Sequence, residues 1–416
     1  MKDGFITYAN SFQAVSRLGL ERIGALLREL GNPERRLHAL HIAGTNGKGS
    51  VAAYLSAILT AAGYRTGLYT SPNLVKVSER IRISGEMISE AALADILARV
   101  EVASARVEQL LHELPTQFEI WTAAAFLYFA DQEVDYVVLE TGLGGEFDAT
   151  NVILSNVMSI FTRIDLDHTQ YLGNTVKEIA RTKSKIIKDA CESGVTVSAP
   201  QSAEVAEILL AESKKHGCRM IFSDPPPSLG FERIYERFFY KGMALAPSLG
   251  GIHQIENASV AVDAALALGI PSDAITEGVS SAYHPARMEL LCEDPVMLYD
   301  GGHNPNGLTA LSASLDRYYP TSEMTVIFAA MKDKDIAPSL ALLRRQGRDF
   351  IFTTVQNNPR AMTPEELTER AASLGVGGFS APTLGDAIRM AEQGGRMILI
   401  CGSLYLYADL PERFKK

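Results

Sequence analysis

The sequence is short of three things. It holds 4 cysteines in 416 residues (Cys191, Cys218, Cys292 and Cys401), scattered, with no C-x-x-C pair and no histidine at metal-ligand spacing. That excludes a disulfide scaffold and a zinc-finger pattern, and it predicts reduced, structural thiols. No apolar run approaches the roughly 18 residues that a membrane span requires. Positive charge is also in deficit, with 39 Lys+Arg against 49 Asp+Glu and a net charge of −10, which argues against a general nucleic-acid binder. Low-complexity tracts and internal repeats are missing as well. The opening MKDGFITYANSFQ lacks the charged and apolar regions of a signal peptide, so a cytoplasmic protein is expected.

What is present is the composition of a globular protein, 47% hydrophobic and 21% charged. The length predicts two or three domains. Basic residues cluster locally at Lys76, Arg80 and Arg82, and again at Arg181, Lys183, Lys185 and Lys188. Such clusters are usually solvated faces, but beside a phosphate loop they could receive an anionic substrate.

One string stands out: HIAGTNGKGS, residues 41–50. Leu40 to Ala43 reads as a buried strand and Val51 to Ala62 as a helix, with a Gly-rich, Lys-bearing loop between them. Glycines there let backbone N–H groups turn towards phosphate oxygens, and the helix N-terminus adds positive potential. The segment Gly44, Thr45, Asn46, Gly47, Lys48, Gly49 and Ser50 therefore reads as a nucleoside triphosphate loop, with Lys48 reaching the terminal phosphates. Its spacing departs from the usual P-loop, because Gly49 fills the slot of the metal-binding hydroxyl and Ser50 follows one residue later. The plain alternative is a Gly-rich turn that needs positive φ and nothing else.

Around this loop, short β-rich runs alternate with helical patterns. TGLYTS (66–71), VDYVVLET (134–141), NVMSIFTRI (156–164) and VTVSA (195–199) read as strands, and the stretches 89–111 and 119–130 as helices. Such alternation predicts βαβ units and a mostly parallel sheet. DPPPSLG (224–230) breaks the pattern and opens a short β-rich subregion that ends near Gly251. A helix follows from about Ile255 to Leu268, stopped by Gly269 and Pro271. From about Asp294 the alternation restarts with PVMLYDG, EMTVIFAAM, RDFIFTTV and RMILICGS. Thr363 and Pro364 make an N-cap and N1 pair there. The expected architecture is α/β: a P-loop-containing, doubly wound parallel-sheet domain over 1–290, then a smaller Rossmann-like domain over 291–416.

Several strings then converge: HIAGTNGKGS, YTSPNLVKVSERIRISG (69–85), FEIWTAAAFLYF (118–129), VVLETGLGGEFDATNV (137–152), LDHTQYLGNTVKEIA (166–180), HQIENASVA (253–261), ARMELL (286–291), DGGHNPNG (300–307) and KDKD (332–335). In this order, through nearly the whole chain, they resemble the folylpolyglutamate synthase/dihydrofolate synthase family of the Mur ligase group. The resemblance implies an ATP-dependent ligase. A substrate carboxylate attacks the γ-phosphate of ATP, and the amine of glutamate displaces phosphate from the acyl phosphate. It implies ATP and Mg²⁺ as cofactors, with a folate or related acceptor and L-glutamate as partners, and no nucleic acid or membrane. A monomer is expected.

Residue by residue, the resemblance places Gly47, Lys48 and Gly49 around the triphosphate. Ser50, Glu140 and His168 become metal ligands. Lys183 aligns with a lysine that the family carbamylates into a further metal ligand. Lys48, Lys183 and His168 are thereby the catalytic set. Asn257 is implied at the adenine. Arg287, Asp300 and His303, with Asn304 in the same turn, join the nucleotide site, and Ser71 and Arg82 the substrate site. Each has a plain alternative: a surface carboxylate for Glu140, a loop histidine satisfied by Asp165 or Asp167 for His168, a solvated basic helix face for Lys183. Three positions depart from the family strings. Asn73 stands for a histidine, Glu146 for an arginine, and Thr182 for a glutamate. Within the class, tetrahydrofolate polyglutamylation leads and dihydrofolate synthesis from dihydropteroate follows. A Mur-type ligase with a non-folate acceptor, or an ATP-binding regulatory paralogue without turnover, are the competing readings.

Overall fold

The computed structural model describes residues 19–189, 191–320, 323–345 and 347–415. The opening MKDGFITYANSFQ, on which the expectation about a signal peptide rests, lies outside them. The chain divides into two compact units. One runs through Pro225 and resumes over Glu256–Ala282; the other comprises Pro226–Ile255 and the chain from Tyr283 onward.

The first unit is built on an eight-stranded sheet ordered β4-β3-β2-β5-β1-β6-β7-β8. Its strands are β1 (Ala39–Ala43), β2 (Thr66–Tyr69), β3 (Ile81–Ile83), β4 (Glu86–Met87), β5 (Tyr136–Glu140), β6 (Met158–Phe161), β7 (Val195–Ser198) and β8 (Arg219–Phe222). The run β2-β5-β1-β6-β7-β8 is parallel, and β3 and β4 add an antiparallel edge. Every residue of β1 is buried, because helices cover both faces of a parallel sheet. Two of the helices start at polar caps legible in the sequence. Thr116 and Glu119 form a reciprocal capping box at Gln117–Asp131, and Ser89 caps Glu90–Leu111. Ile23, Leu97, Trp121, Phe126 and Val137 belong to the core on one side of the sheet. The helix Ser272–Ser281 packs so closely on Lys48–Ala61 that a Cβ at Gly278 would lie 2.3 Å from the Ile58 Cα.

This topology positions a site. β1 and β6 are neighbours, yet the chain leaves β1 towards β2 and leaves β6 towards β7. Connections departing in opposite directions open a crevice at the C-terminal strand ends, where α/β sheets bind ligands.

The second unit holds a six-stranded sheet ordered β12-β13-β17-β14-β15-β16 and a three-stranded antiparallel sheet ordered β11-β10-β9. The small sheet comprises β9 (Gly230–Glu232), β10 (Tyr235–Tyr240) and β11 (Met243–Leu245), in the β-rich region expected after the prolines. The larger one comprises β12 (Glu289–Glu293), β13 (Val296–Tyr299), β14 (Met324–Phe328), β15 (Gly347–Phe352), β16 (Phe379–Ser380) and β17 (Met397–Cys401); all but the β12–β13 pair are parallel. Thr363 caps Pro364–Ser373 with Pro364 in its first turn, as its sequence signature requires. Glu236 ties the small sheet to the helix Pro305–Tyr318. Fully buried, it accepts hydrogen bonds from Arg317 Nε and the Tyr318 hydroxyl, each at 2.7 Å. No helix of the described residues is long and apolar enough to cross a membrane.

Candidate functional site

The loop after β1 is fixed by close packing. A Cβ on Gly44 would stand 1.8 Å from Thr162 Oγ1, so only glycine lets the loop approach the end of β6. Thr45 Oγ1 both donates to the Asp165 carbonyl and accepts from the Asp165 N–H, each at 2.9 Å, while its own N–H donates to the Arg163 carbonyl. Gly47 caps the helix Lys48–Ala61 with φ of 89°, a left-handed conformation that L side chains rarely adopt. A Cβ there would also meet Asn257 Oδ1 at 2.4 Å. The buried Asn257 is thus placed directly against the loop from 210 residues away. Asn46 is half-buried, and Gly49 and Ser50 are buried in the first turn of the helix.

Two lysines converge on this loop. Lys48 Nζ donates to the Gly44 and Thr45 carbonyls at 3.1 and 3.2 Å. Lys183, 4% exposed, donates to the same Gly44 carbonyl at 2.8 Å. Burial, reinforced by the charge of Lys48, brings the Lys183 ammonium down to a pKa of about 7, with Asp167 and Asp148 opposing the shift. A solvated basic face is therefore excluded for Lys183. The neighbouring Lys185 does face outward, and Glu212 neutralises it at 2.9 Å.

The Lys183 backbone is held by the loop after β5. A Cβ on Gly145 would lie 2.7 Å from the Thr182 carbonyl and 2.9 Å from the Lys183 Cα, and the Glu146 N–H donates to that Thr182 carbonyl. Glu146 is half-buried, and the Thr182 hydroxyl turns back to the Glu178 carbonyl. A buried carboxylate that the sequence reasoning did not single out anchors the loop. Asp148 accepts from the N–H groups of Leu143 and Thr150 at 2.7 and 3.0 Å and from the Thr150 hydroxyl. That hydroxyl meets His41 Nε2 at 2.8 Å. Burial, with the charge of Lys188, brings His41 down to a pKa of about 3, so the ring is neutral. With the Thr150 proton given to Asp148, His41 must be the Nε2–H tautomer. The signal was legible in FDATN: an Asp two residues before a Thr is a local side-chain-to-backbone turn.

Glu140 ends β5 beside β1, with Ile42 as its cross-strand partner, and is 5% exposed rather than a surface carboxylate. Its Oε2 accepts from the Ser71 N–H at 3.1 Å, which brings Ser71 to the same strand ends. His168 adopts a left-handed conformation in the loop after β6. Its half-exposed ring lies 3.7 Å from Asp167. Arg82 lies on β3 opposite Leu68, its Nε donating to the Glu79 carbonyl at 3.2 Å. Asn73, one of the departures, accepts from Arg80 Nε at 2.7 Å.

Ser50, in the first turn of the helix after β1, and Glu140, at the end of the neighbouring β5, offer hard oxygen donors, which suits a Mg²⁺ ion that keeps several waters and phosphate oxygens. Among the described residues no group of three or more His, Cys, Asp and Glu forms a closed metal cage. An open, partly hydrated ion is what this donor set fits.

In the second unit, Asp300 follows β13 and is buried. Its carboxylate accepts from the Met288 and Gly302 N–H groups at 2.9 and 2.8 Å. Burial raises its pKa, and the charge of Arg287 with these hydrogen bonds lowers it. Arg287 also adds to the burial that brings His253 down to about 4. His303 Nδ1 lies 3.1 Å from the Gly301 carbonyl, and Asn304 caps the helix Pro305–Tyr318 through the Gly307 N–H. Arg287, Asp300, His303 and Asn304 thus gather around one turn.

Comparison with known proteins decides the family. Residues 42–265 match the Mur ligase middle domain, and residues 286–404 match the Mur ligase, glutamate ligase domain. A dihydrofolate synthase/folylpolyglutamate synthase of Bacillus subtilis (strain 168) is 33% identical over 417 residues, 95% of each chain. The chain belongs to the folylpolyglutamate synthase/dihydrofolate synthase family. Within that family, Mycobacterium tuberculosis folylpolyglutamate synthase complexed with ADP and AMPPCP superposes with a TM-score of 0.91 at 31% identity, covering 100% of this chain and 99% of the other. The E. coli FolC complex with DHPP and ADP gives a TM-score of 0.85 at 27% identity, covering 98% and 96%. The family's ATP-dependent glutamate ligase chemistry and its α/β Mur ligase fold are those expected from the sequence.

Proposed function

We propose that the chain adds L-glutamate to reduced folates, using ATP and Mg²⁺, with tetrahydrofolate polyglutamylation as its main reaction and dihydropteroate as a second acceptor. The observation that carries this reading is the meeting of Lys48 and Lys183 on the Gly44 carbonyl, beneath a loop built to admit phosphate oxygens. In the first step an acceptor carboxylate oxygen bonds to the γ-phosphorus as the bond to the ADP oxygen breaks. Lys48, released from its loop carbonyls, and the loop N–H groups offset the charge that develops there. Mg²⁺, held by Ser50, Glu140 and His168, with Lys183 if carbamylated, would neutralise phosphate charge. In the second step the glutamate amine attacks the acyl carbon, phosphate leaves and the amine loses a proton. Asn257 is read as an adenine contact, with Arg287, Asp300 and His303 completing nucleotide binding. Ser71 and Arg82 are read as substrate contacts. The domain division 1–290 and 291–416, a monomeric state and a cytoplasmic setting belong to the same reading.

The test is phosphate release and product mass with ATP, Mg²⁺, glutamate and either tetrahydrofolate or dihydropteroate. Product with at least one pterin is expected. ATP binding without turnover on any pterin would overturn the reading.

A further inference from the structure

Cys191 and Cys218 meet inside the first unit. Their sulfurs lie 3.0 Å apart, although the residues stand 27 positions apart in sequence, and both are buried free thiols. That separation is only about 1 Å more than the roughly 2.05 Å of a sulfur–sulfur bond. Cysteines that merely fill a core need no sulfur partner. Cys292 on β12 and Cys401 on β17 belong to the second unit.

The pair ends a row of three contacts between two pieces of chain. One piece, residues 185–191, continues from the helix Val176–Ser184 that bears Lys183. The other is the C-terminal end of the helix Ala203–Lys215 with the turn into β8. Glu212 accepts from Lys185 Nζ at 2.9 Å, His216 Nδ1 lies 2.6 Å from the Asp189 carboxylate, and Cys218 faces Cys191. Main-chain hydrogen bonds hold each side in place. The Cys218 N–H donates to the Ser213 carbonyl, and the N–H groups of Glu192 and Ser193 donate to the Asn156 and Val157 carbonyls.

The contact between the sulfurs has a direction. Burial, with Cys218 beside it, pushes the Cys191 thiol up to about 11, so Cys191 keeps its proton and donates it to the Cys218 sulfur. A thiolate at Cys218 is stabilised by that donor, and a thiolate is the form that attacks an oxidant. Among the described residues no group of three or more His, Cys, Asp and Glu could hold a metal ion, so the pair is not part of a metal site. Two-electron oxidation is the chemistry that two facing thiols can perform.

We propose that Cys191 and Cys218 are a redox-modification site, closing to a reversible disulfide when the protein meets hydrogen peroxide. The Cys218 thiolate attacks one peroxide oxygen and the O–O bond breaks. Hydroxide leaves and takes up a proton to become water, and Cys218 becomes a sulfenic acid. The Cys191 sulfur then attacks the Cys218 sulfur, the S–O bond breaks, and the Cys191 proton leaves with the hydroxyl as a second water. Peroxide gains two electrons and the two thiols lose them. The new bond ties the chain beyond Lys183 covalently to the end of the helix Ala203–Lys215. None of this depends on which acceptor the ligase uses.

The experiment treats the full chain with hydrogen peroxide, removes the excess, blocks free thiols under denaturing conditions and maps the unreduced peptides by mass. The expected product has lost the mass of two hydrogens, carries the blocking group on Cys292 and Cys401 alone, and gives one peptide pair linked through Cys191 and Cys218. A dithiol reductant restores both thiols. In the oxidised protein, amide hydrogen exchange over 185–191 slows by about tenfold or more. Cys191→Ser leaves Cys218 as a sulfenic acid that a 1,3-dione captures, whereas Cys218→Ser leaves Cys191 unmodified. Recovery of both cysteines as free thiols, a bond from either to Cys292 or Cys401, or oxidation that halts at a sulfinic acid would overturn the proposal. Unchanged exchange in the linked protein would overturn the tie, and capture at Cys191 instead of Cys218 the order of attack.

Discussion

The side-chain nitrogen of Lys183 donates to the main-chain carbonyl of Gly44 at 2.8 Å, joining residues 139 positions apart. That one bond sets the Lys183 helix against the nucleotide loop and puts its nitrogen beside Lys48. Burial first, and the neighbouring charge of Lys48 second, disfavour the Lys183 ammonium, so that it gives up its proton readily near neutrality.

The first prediction concerns that nitrogen. With a pKa of about 7, Nζ is mostly neutral at pH 8 and mostly charged at pH 6. A neutral amine attacks CO₂, forming an N–C bond and releasing a proton, so a carbamate should accumulate as pH rises through 7. Carbon-13 NMR of protein with labelled bicarbonate should show its resonance at pH 8 and lose it at pH 6. Lys183→Met should remove the signal and lower kcat by about 100-fold or more, the scale of losing a group that assembles the metal site. An unmodified Lys183 at pH 8 with Mg²⁺ would count against the carbamate.

Gly47 supplies the second. Alanine there must hold φ of 89° and place Cβ 2.4 Å from Asn257 Oδ1. Gly47→Ala should weaken ATP binding about tenfold or more, equivalent to about 1.4 kcal/mol, by calorimetric titration. Adding Asn257→Ala removes the clash but not the φ strain, so only part of the affinity should return.

A third follows from His41, whose pKa falls from 6.5 to about 3 in the fold. The unfolded chain takes up a proton near pH 6.5 that the folded one refuses, so this stability is full above pH 6.5 and is lost as pH falls towards 3. The slope approaches about 1.4 kcal/mol per pH unit for one proton. Urea unfolding at pH 7.5, 6 and 5 measures it, and His41→Gln should flatten the dependence. His253, brought to about 4, acts in the same direction.

Asp148 carries the fourth. Asp148→Ala strands two N–H groups and the Thr150 hydroxyl in a buried site, and should cost about 2–4 kcal/mol in urea unfolding. Asp148→Asn keeps an acceptor and should cost less. Equal costs would mean that the anion, and not the hydrogen-bond acceptor, holds the Gly142–Gly145 loop.

Much of the scaffold could be read along the chain. The strand before Gly44, the helix after Gly47, the capping boxes at Thr116 and Thr363 and the strand ending at Glu140 all follow from patterns a few residues long. The cluster at 181–188 was harder. In sequence Lys183 and Lys185 are the same kind of residue two positions apart. On the helix and the chain just beyond it, one is buried against Gly44 while the other reaches Glu212. Asn73 looked only like a lost histidine, and its hold on Arg80 needed the turn of Val77–Arg80 to bring the two together.

The sequence by itself determined the alternation of strands and helices, the phosphate loop and the family, because periodicity, capping and glycine placement are local properties. The tertiary structure decided which lysine is desolvated and which asparagine meets the loop. Desolvation and charge neutralisation depend on groups that arrive from far along the chain, and no local pattern encodes them.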